Sequence, residues 1–367
     1  MDENLRGLDS ITLTRYVLHG QRAHNHARGD LTILLTAVQL ACKVTDVCVR
    51  RSGIAKLYGL AGIGNFQSDS EKDLKTLAND TFKTNIEACE KVSIMVSESE
   101  DMALVLDRNL NSAKYAIAFD PLDGSSNIDA NISVGSIFAV YRLQDAGGIR
   151  TVEEATKAIL QKGSEIAAAG YAMYGSSTSL VISTGDGVHA FTLDPSLGEF
   201  VLTQPSLRIK DRGNIYSVNE GNSDEWNEST RLYVNSIKFP TDETRKPYSL
   251  RYIGTMVADI HRTLFYGGVF MYPTDRLHRR GKLRLLYEAF PMAFLIENAG
   301  GKATTGWERI LDIVPTTVHQ RAPVYMGSKL DVEDLLGFFQ QTGEQPPSIG
   351  DEDTLDEDDL SFEMKGI

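Results

Sequence analysis

Between Asp30 and Gly53, apolar residues recur at three- or four-residue spacing (Leu34, Val38, Ala41, Val44, Cys48), which predicts a buried amphipathic helix over residues 31–49. A second helix is expected over 71–90, where Leu74, Leu77, Phe82 and Ile86 form a stripe and Ser70 with Asp73 resembles a capping box. The segment before it, GLAGIGNFQSD, is glycine-rich and is expected to be mobile. Residues 93–96 and 115–119 are short apolar runs ending in carboxylates, the pattern of central strands that bring acids to a sheet edge. Another strand follows at 134–141, then a short helix opened by a capping box of Thr151 and Glu154.

From there the rhythm changes. Residues 167–174, 180–183, 188–193 and 200–203 alternate with YGSS, TGDG and DPSLG turns and read as hairpins, with a domain change expected near 195–210. Helical patterns return at 222–237 and 257–266, and a buried helix is expected over 285–297, ended by Gly300 and Gly301. This periodicity supports mixed α/β. It divides the chain into an N-terminal domain (1–204), a C-terminal domain (205–341) and an acidic tail (342–367) whose composition predicts disorder.

Composition narrows the function classes. The chain has 367 residues, enough for two domains, and no apolar run is expected to approach the roughly 18 residues of a membrane span. Asp2 and Glu3 precede any apolar run, the wrong order for a secretory leader, so a cytoplasmic location is expected. Cys42, Cys48 and Cys89 have no metal-ligand spacing and read as thiols without a disulfide framework. A net charge of −13 argues against nucleic-acid binding. Eight carboxylates between Asp351 and Glu363 carry most of that charge, so the body is far less acidic than the whole, and the tail could dock a basic partner.

The chemistry concentrates in FDPLDGSSN, residues 119–127. Asp120 and Asp123, separated by Pro121 and Leu122, can converge with a backbone carbonyl on a hard cation such as magnesium. Gly124, Ser125 and Ser126 follow with unobstructed N–H groups and two hydroxyls, a nest for phosphate oxygens. Further carboxylates are available at Glu98 and Glu100, just past the strand at 93–96, and at Glu288 inside the apolar KLRLLYEAFP stretch. A buried Glu288 needs either a cation such as Lys282 or Arg284 or a metal.

These residues, with LTRYV, KLYGLAG, AAGYAMYG, SVNEG, RYIGTMVADIHRTL, GGVFMYP and GKLRLLYEAFPMAF, resemble the fructose-1,6-bisphosphatase family of metal-dependent, lithium-sensitive phosphatases from about Thr12 to Leu336. The resemblance implies an α-β-α-β-α five-layer sandwich of the sugar phosphatase type and a homotetramer. It also implies hydrolysis of the 1-phosphate of fructose 1,6-bisphosphate by magnesium-activated water, with Mn2+ or Zn2+ able to substitute. Glu98, Asp120, the Leu122 carbonyl, Asp123 and Glu288 match metal ligands; Gly124, Ser125, Ser126 and Arg284 match the groups around the departing phosphate. Asp69 with Glu98 or Glu100 would manage the proton of the attacking water. Asn219, Tyr252, Tyr272 and Lys282 match the pocket for the sugar and its 6-phosphate, with Arg251 entering from a neighbouring subunit. Gly29, Thr32, Lys114, Tyr115 and Arg142 match an AMP effector site.

The chain departs from this pattern in four places. Lys75 stands where the family has a second loop aspartate, Ser99 looks inserted between two glutamates, Asn222 and Ser223 replace a tyrosine that touches the 6-phosphate, and Arg28 replaces a small hydroxyl residue at the effector site. Two other functions remain open at this level: sedoheptulose-1,7-bisphosphatase, and a weak or inactive regulatory homologue.

Overall fold

The computed structural model describes residues 11–22, 29–58, 70–106, 113–143, 151–242, 244–275 and 278–347. Helices α1 (Leu13–Arg22), α2 (Asp30–Tyr58) and α3 (Ser70–Ala88) precede a run of strands: β1 (Val92–Ser97), β2 (Leu104–Val105), β3 (Tyr115–Asp123) and β4 (Val134–Arg142). After α4 (Val152–Ile159) come β5 (Ile166–Tyr174), β6 (Thr178–Ser183), β7 (Val188–Asp194) and β8 (Glu199–Leu207). The expected capping box of α4 is formed: Thr151 Oγ1 accepts from Glu154 N, and Glu154 Oε2 accepts from Thr151 N. All eight strands make one sheet in the order β2-β1-β3-β4-β5-β6-β7-β8, parallel only between β1 and β3. The predicted hairpins therefore extend the same sheet that carries the acidic strands.

The remaining elements are β9 (Ile215–Ser217), α5 (Glu228–Lys238), β10 (Ser249–Leu250), α6 (Met256–Tyr266), β11 (Val269–Tyr272), β12 (Leu283–Arg284), α7 (Phe290–Asn298), β13 (Lys302–Thr304), β14 (Arg321–Ala322), β15 (Val324–Gly327) and α8 (Lys329–Thr342). A second sheet has the order β10-β9-β11-β15-β13. Side chains of alternating direction on the strands bury two faces of each sheet. One face of the large sheet (Ile117, Phe119, Phe138) packs with Leu34, Val38, Phe82 and Ile86 of α2 and α3. Its other face (Ala118, Ala139, Tyr171) meets α6, α7 and one face of the second sheet, and the outer face of that sheet meets α5 and α8. The layers are α-β-α-β-α.

Three expectations need correction. Over Asp30–Gly53, α2 is by length and composition apolar enough to cross a bilayer, contrary to the expectation that no such run exists; 56% of that window is buried, because its stripe is the core of the first layer. The helix expected from 222 begins at Glu228, where the Asn227 side chain caps it by accepting from Thr230 N. The tail does not start at Thr342, which closes α8: Glu344 accepts from the N–H groups of Glu228 and Ser229, and its carbonyl accepts from Trp307 Nε1 at 2.8 Å. Residues 348–367 lie outside the described part.

Candidate functional site

In a regular strand, positions i and i+3 point to opposite faces, so Asp120 and Asp123 should diverge. They do not, because the pairing of β3 with β4 slips: Asp120 lies opposite Ile137 and Asp123 opposite Gly135. One extra residue on β3 makes a bulge, which turns both carboxylates to the same side. Ser136 secures the bulge from β4, donating to the Pro121 carbonyl at 2.7 Å while also bonding Tyr174. Leu122 is buried, and its N–H donates to Asp120 Oδ1. Asp123 Oδ2 accepts from Val257 N at 2.9 Å, at the N-terminal turn of α6, where the helix dipole favours an anion.

Glu288 arrives from a π-helical turn, Leu285–Ala289, wedged between β12 and α7, a distortion that often marks a functional position. Its Oε2 accepts from Arg284 N at 2.5 Å, and Arg284 donates from Nη1 to the His319 carbonyl. Oxygens of Asp120, Asp123 and Glu288 lie within 4.8 Å of one another. Glu98 stands beside them and repels all three.

Burial first, then this mutual repulsion, pushes Asp120 well above the usual carboxylate range, Asp123 up to about 7 and Glu288 up to about 8. Hard oxygen donors that hold protons because burial and one another's charges disfavour ionisation suit a divalent cation. The fold therefore fits a metal at this point. A measurable consequence concerns metal-free protein. Unfolded carboxylates titrate near about 4, so above that value the folded state binds more protons than the unfolded one and stability falls as pH rises through about 8. His261, which burial lowers to about 4, runs the opposite way up to the unfolded histidine value of about 6.5, so across the window it offsets only a small part of what the carboxylates lose. Thermal melts in chelator should give a lower Tm at about pH 8.5 than at about pH 6.5, and added Mg2+ should raise Tm more at the higher pH. A pH-independent Mg2+ effect would contradict this.

Beyond the bulge, Gly124 has φ +74°, and a Cβ there would fall 2.5 Å from Thr255 Oγ1, so only glycine passes so close to α6. Ser125 and Ser126 open a 3-10 helix, Ser125–Ala130, whose first N–H groups have no acceptor within the helix. Asn127 Nδ2 donates to Thr255 Oγ1 at 2.8 Å and ties the turn to the second half of the chain.

The other expected residues are distributed unevenly. Tyr252 and Tyr272 are close to the cluster: burial, then Asp259 and Asp123, raises Tyr252 to about 12, and burial, then Tyr252, Asp275 and Glu288, raises Tyr272 further. Asn219, Arg251 and Lys282 are exposed; Asn219 Oδ1 accepts from Gly221 N, and Arg251 donates to the Leu250 carbonyl. Buried Asp259 fixes the segment carrying Tyr252 by accepting from the N–H groups of Ile253 and Gly254. Glu100 is not brought to the cluster: α3 takes it, with Lys83 Nζ at 2.5 Å and Asn79 Nδ2 at 3.0 Å. Asp69 lies outside the described residues. Lys75, also on α3, reaches Glu98 Oε2 at 2.8 Å. Burial lowers its ammonium pKa, but Glu98, Asp120 and Glu288 outweigh that and hold it above the lysine value.

At the effector positions, Gly29 (φ 83°) precedes α2 and Thr32 is buried in its first turn. Lys114 pairs with Asp30 at 3.2 Å, and the Arg142 guanidinium lies 6.0 Å from the Tyr115 ring centre across the β3–β4 pair. These five residues gather where α2 begins and β3 starts, at the opposite end of β3 from Asp120 and Asp123.

Sequence reasoning missed His319. Its Nε2 meets the carbonyls of Glu100 and Asp101, so that nitrogen carries the proton, and Nδ1 accepts from Tyr287 Oη at 2.8 Å. It clamps the turn after Glu98 to the π-helical segment bearing Glu288. No spacing signals a contact between residues so far apart in the chain.

Comparison with known proteins covers nearly the whole described chain. Residues 11–205 match the family model "Fructose-1-6-bisphosphatase, N-terminal domain", and residues 209–340 match the corresponding C-terminal domain. The chain is 51% identical over 331 residues to the cytosolic fructose-1,6-bisphosphatase of Oryza sativa subsp. japonica, covering 90% of this chain and 96% of that protein. It is 50% identical over 333 residues to the cytosolic enzyme of Arabidopsis thaliana, covering 91% and 96%. Crystal structures of Leishmania major fructose-1,6-bisphosphatase match at 44% identity, with TM-scores of 0.82 for the holo form (90% of this chain, 99% of that one) and 0.83 for the T-state (91% and 100%).

Proposed function

Since the chain belongs to the fructose-1,6-bisphosphatase family, we propose that it hydrolyses the 1-phosphate of fructose 1,6-bisphosphate, releasing fructose 6-phosphate and phosphate. This is a step of gluconeogenesis, and the cytosolic names of its relatives support a cytoplasmic enzyme. The observation that carries the reading is the convergence of Asp120, Asp123 and Glu288 within 4.8 Å, next to the Gly124–Ser126 turn. Those three carboxylates, with the Leu122 carbonyl, would hold magnesium, and Glu98, expected from the sequence to join them, stands beside them paired with Lys75. Bound there, magnesium supplies Lewis-acid polarisation of the phosphate. The N–H and hydroxyl groups of Ser125 and Ser126 orient the reacting phosphate, and Arg284 keeps Glu288 in place through its N–H.

Asn219, Tyr252, Tyr272 and Lys282 bind the sugar and its 6-phosphate, with Arg251 entering from a second copy, and this remote binding energy positions the scissile group. Asp69 and Glu98 accept the proton of the attacking water; Glu100, held by Lys83 and Asn79, does not share that task. Gly29, Thr32, Lys114, Tyr115 and Arg142 would receive a nucleotide effector. Two-fold association of copies is supported by an exposed apolar stripe on α2, where Ile33, Leu40, Val44 and Val47 recur at helical spacing; light scattering that returns a monomer would contradict it. Two domains are supported by the sheets, which change between β8 and β9; since β8 runs to Leu207, the division lies a few residues beyond the expected 204 and 205.

Phosphate release from fructose 1,6-bisphosphate and from sedoheptulose 1,7-bisphosphate, with and without Mg2+, tests the function. Magnesium-dependent turnover that favours the hexose is expected. Turnover of the heptulose alone would replace the substrate, and turnover of neither would point to a regulatory homologue.

A further inference from the structure

Among the carboxylates of the site stands a cation that belongs to the chain. Lys75 follows buried Leu74 on α3, and its Nζ lies 2.8 Å from Glu98 Oε2. Asn79 and Lys83 continue the same helix face at i+4 and i+8, and both are engaged with the end of β1 and its turn. Asn79 accepts from Ser97 Oγ at 2.7 Å and donates to Glu100, which Lys83 also holds. The face of α3 that points at the cluster is thus fixed at two further places, and Lys75 cannot leave the cluster by rotation of the helix alone.

An ammonium has three donors and no acceptor, and a carboxylate oxygen it occupies is a poorer metal ligand. Its charge also opposes a divalent ion a few ångströms away. Resting on the metal reading above, we propose that Lys75 is a tethered cation that holds Glu98 out of the metal's ligand set, so that the site binds one divalent ion fewer, and more weakly, than the same carboxylates would without it. The divalent ion then depends on Asp120, Asp123 and Glu288, the three whose oxygens already converge.

Mn2+ titration of the full chain by calorimetry, with free Mn2+ followed by electron paramagnetic resonance, tests this without reference to turnover. Lys75→Met is expected to bind Mn2+ about tenfold more tightly and to take one additional ion per chain. Lys75→Arg, which keeps the charge, should retain wild-type affinity and stoichiometry, and circular dichroism should show both variants folded. Equal binding by wild type and Lys75→Met overturns the proposal, as does equal tightening in Lys75→Arg. If Asp120→Asn leaves the wild-type titration unchanged, the metal reading itself is wrong and the role of Lys75 falls with it.

Discussion

Replacing Asp120 by Asn is expected to lower turnover of fructose 1,6-bisphosphate about 10³-fold or more, while the metal-free protein melts no lower than wild type. The two effects have one cause. Asp120 is 2% exposed, and burial together with the charges of Glu98, Asp123 and Glu288 resists its ionisation. An amide is nearly the same shape and carries no charge, and its oxygen can still accept from Leu122 N as Asp120 Oδ1 does. The loss falls on function, because a metal site deprived of one anionic ligand gives up several kcal/mol of transition-state stabilisation, each tenfold in rate being worth about 1.4 kcal/mol. Initial rates at saturating Mg2+, with melts in chelator, check both halves. A variant that loses less than about tenfold in rate, or one that fails to fold, would contradict the assignment.

Phe82→Ala is expected to cost about 3–5 kcal/mol of stability, the largest effect on folding among the changes considered. Phe82 is fully buried and stacks on Phe119 at a centroid distance of 5.3 Å and 19° between planes. It fastens α3 to the strand whose end carries Asp120. The cavity left by alanine would have α3 on one side and β3 on the other, neither free to collapse without moving the site. Activity should therefore fall with stability, since α3 also positions Lys75, Asn79 and Lys83. A urea titration measures the shift, and Phe82→Leu, which refills most of the volume, should recover the greater part of it. A stability change below about 1 kcal/mol for the alanine variant would mean that α3 is not anchored there.

Much of this frame is legible before any coordinates. The stripes on α2 and α3 and the capping box at Thr151 are local properties, written within a turn or two of helix, and the structure keeps them except at Val44, which belongs to the expected buried stripe of α2 and is exposed. The pair Asp120 and Asp123 is equally plain in sequence, but that both face the same way is not: it depends on the slip against β4, which is a property of the pairing. Glu100 shows the same limit. Its neighbourhood suggested a second catalytic carboxylate, and the partners that divert it, Lys83 and Asn79, lie on α3 and announce nothing by their spacing to it. His319 and Glu344 act entirely through long-range contacts and carry no local signal. The apolarity of α2 misled in the other direction, because a helix buried within a first layer and one that crosses a bilayer share length and composition.

The central claim is that Asp120, Asp123 and Glu288 hold a divalent ion against the phosphate that leaves. The most direct measurement is a crystal structure with Mn2+ and fructose 1,6-bisphosphate or its products, recorded at the manganese absorption edge. An anomalous peak among those three carboxylates is predicted, with the 1-phosphate at Ser125 and Ser126 and the 6-phosphate toward Tyr272 and Lys282. No peak at the carboxylates, or a sugar bound with its phosphates reversed, would contradict the account.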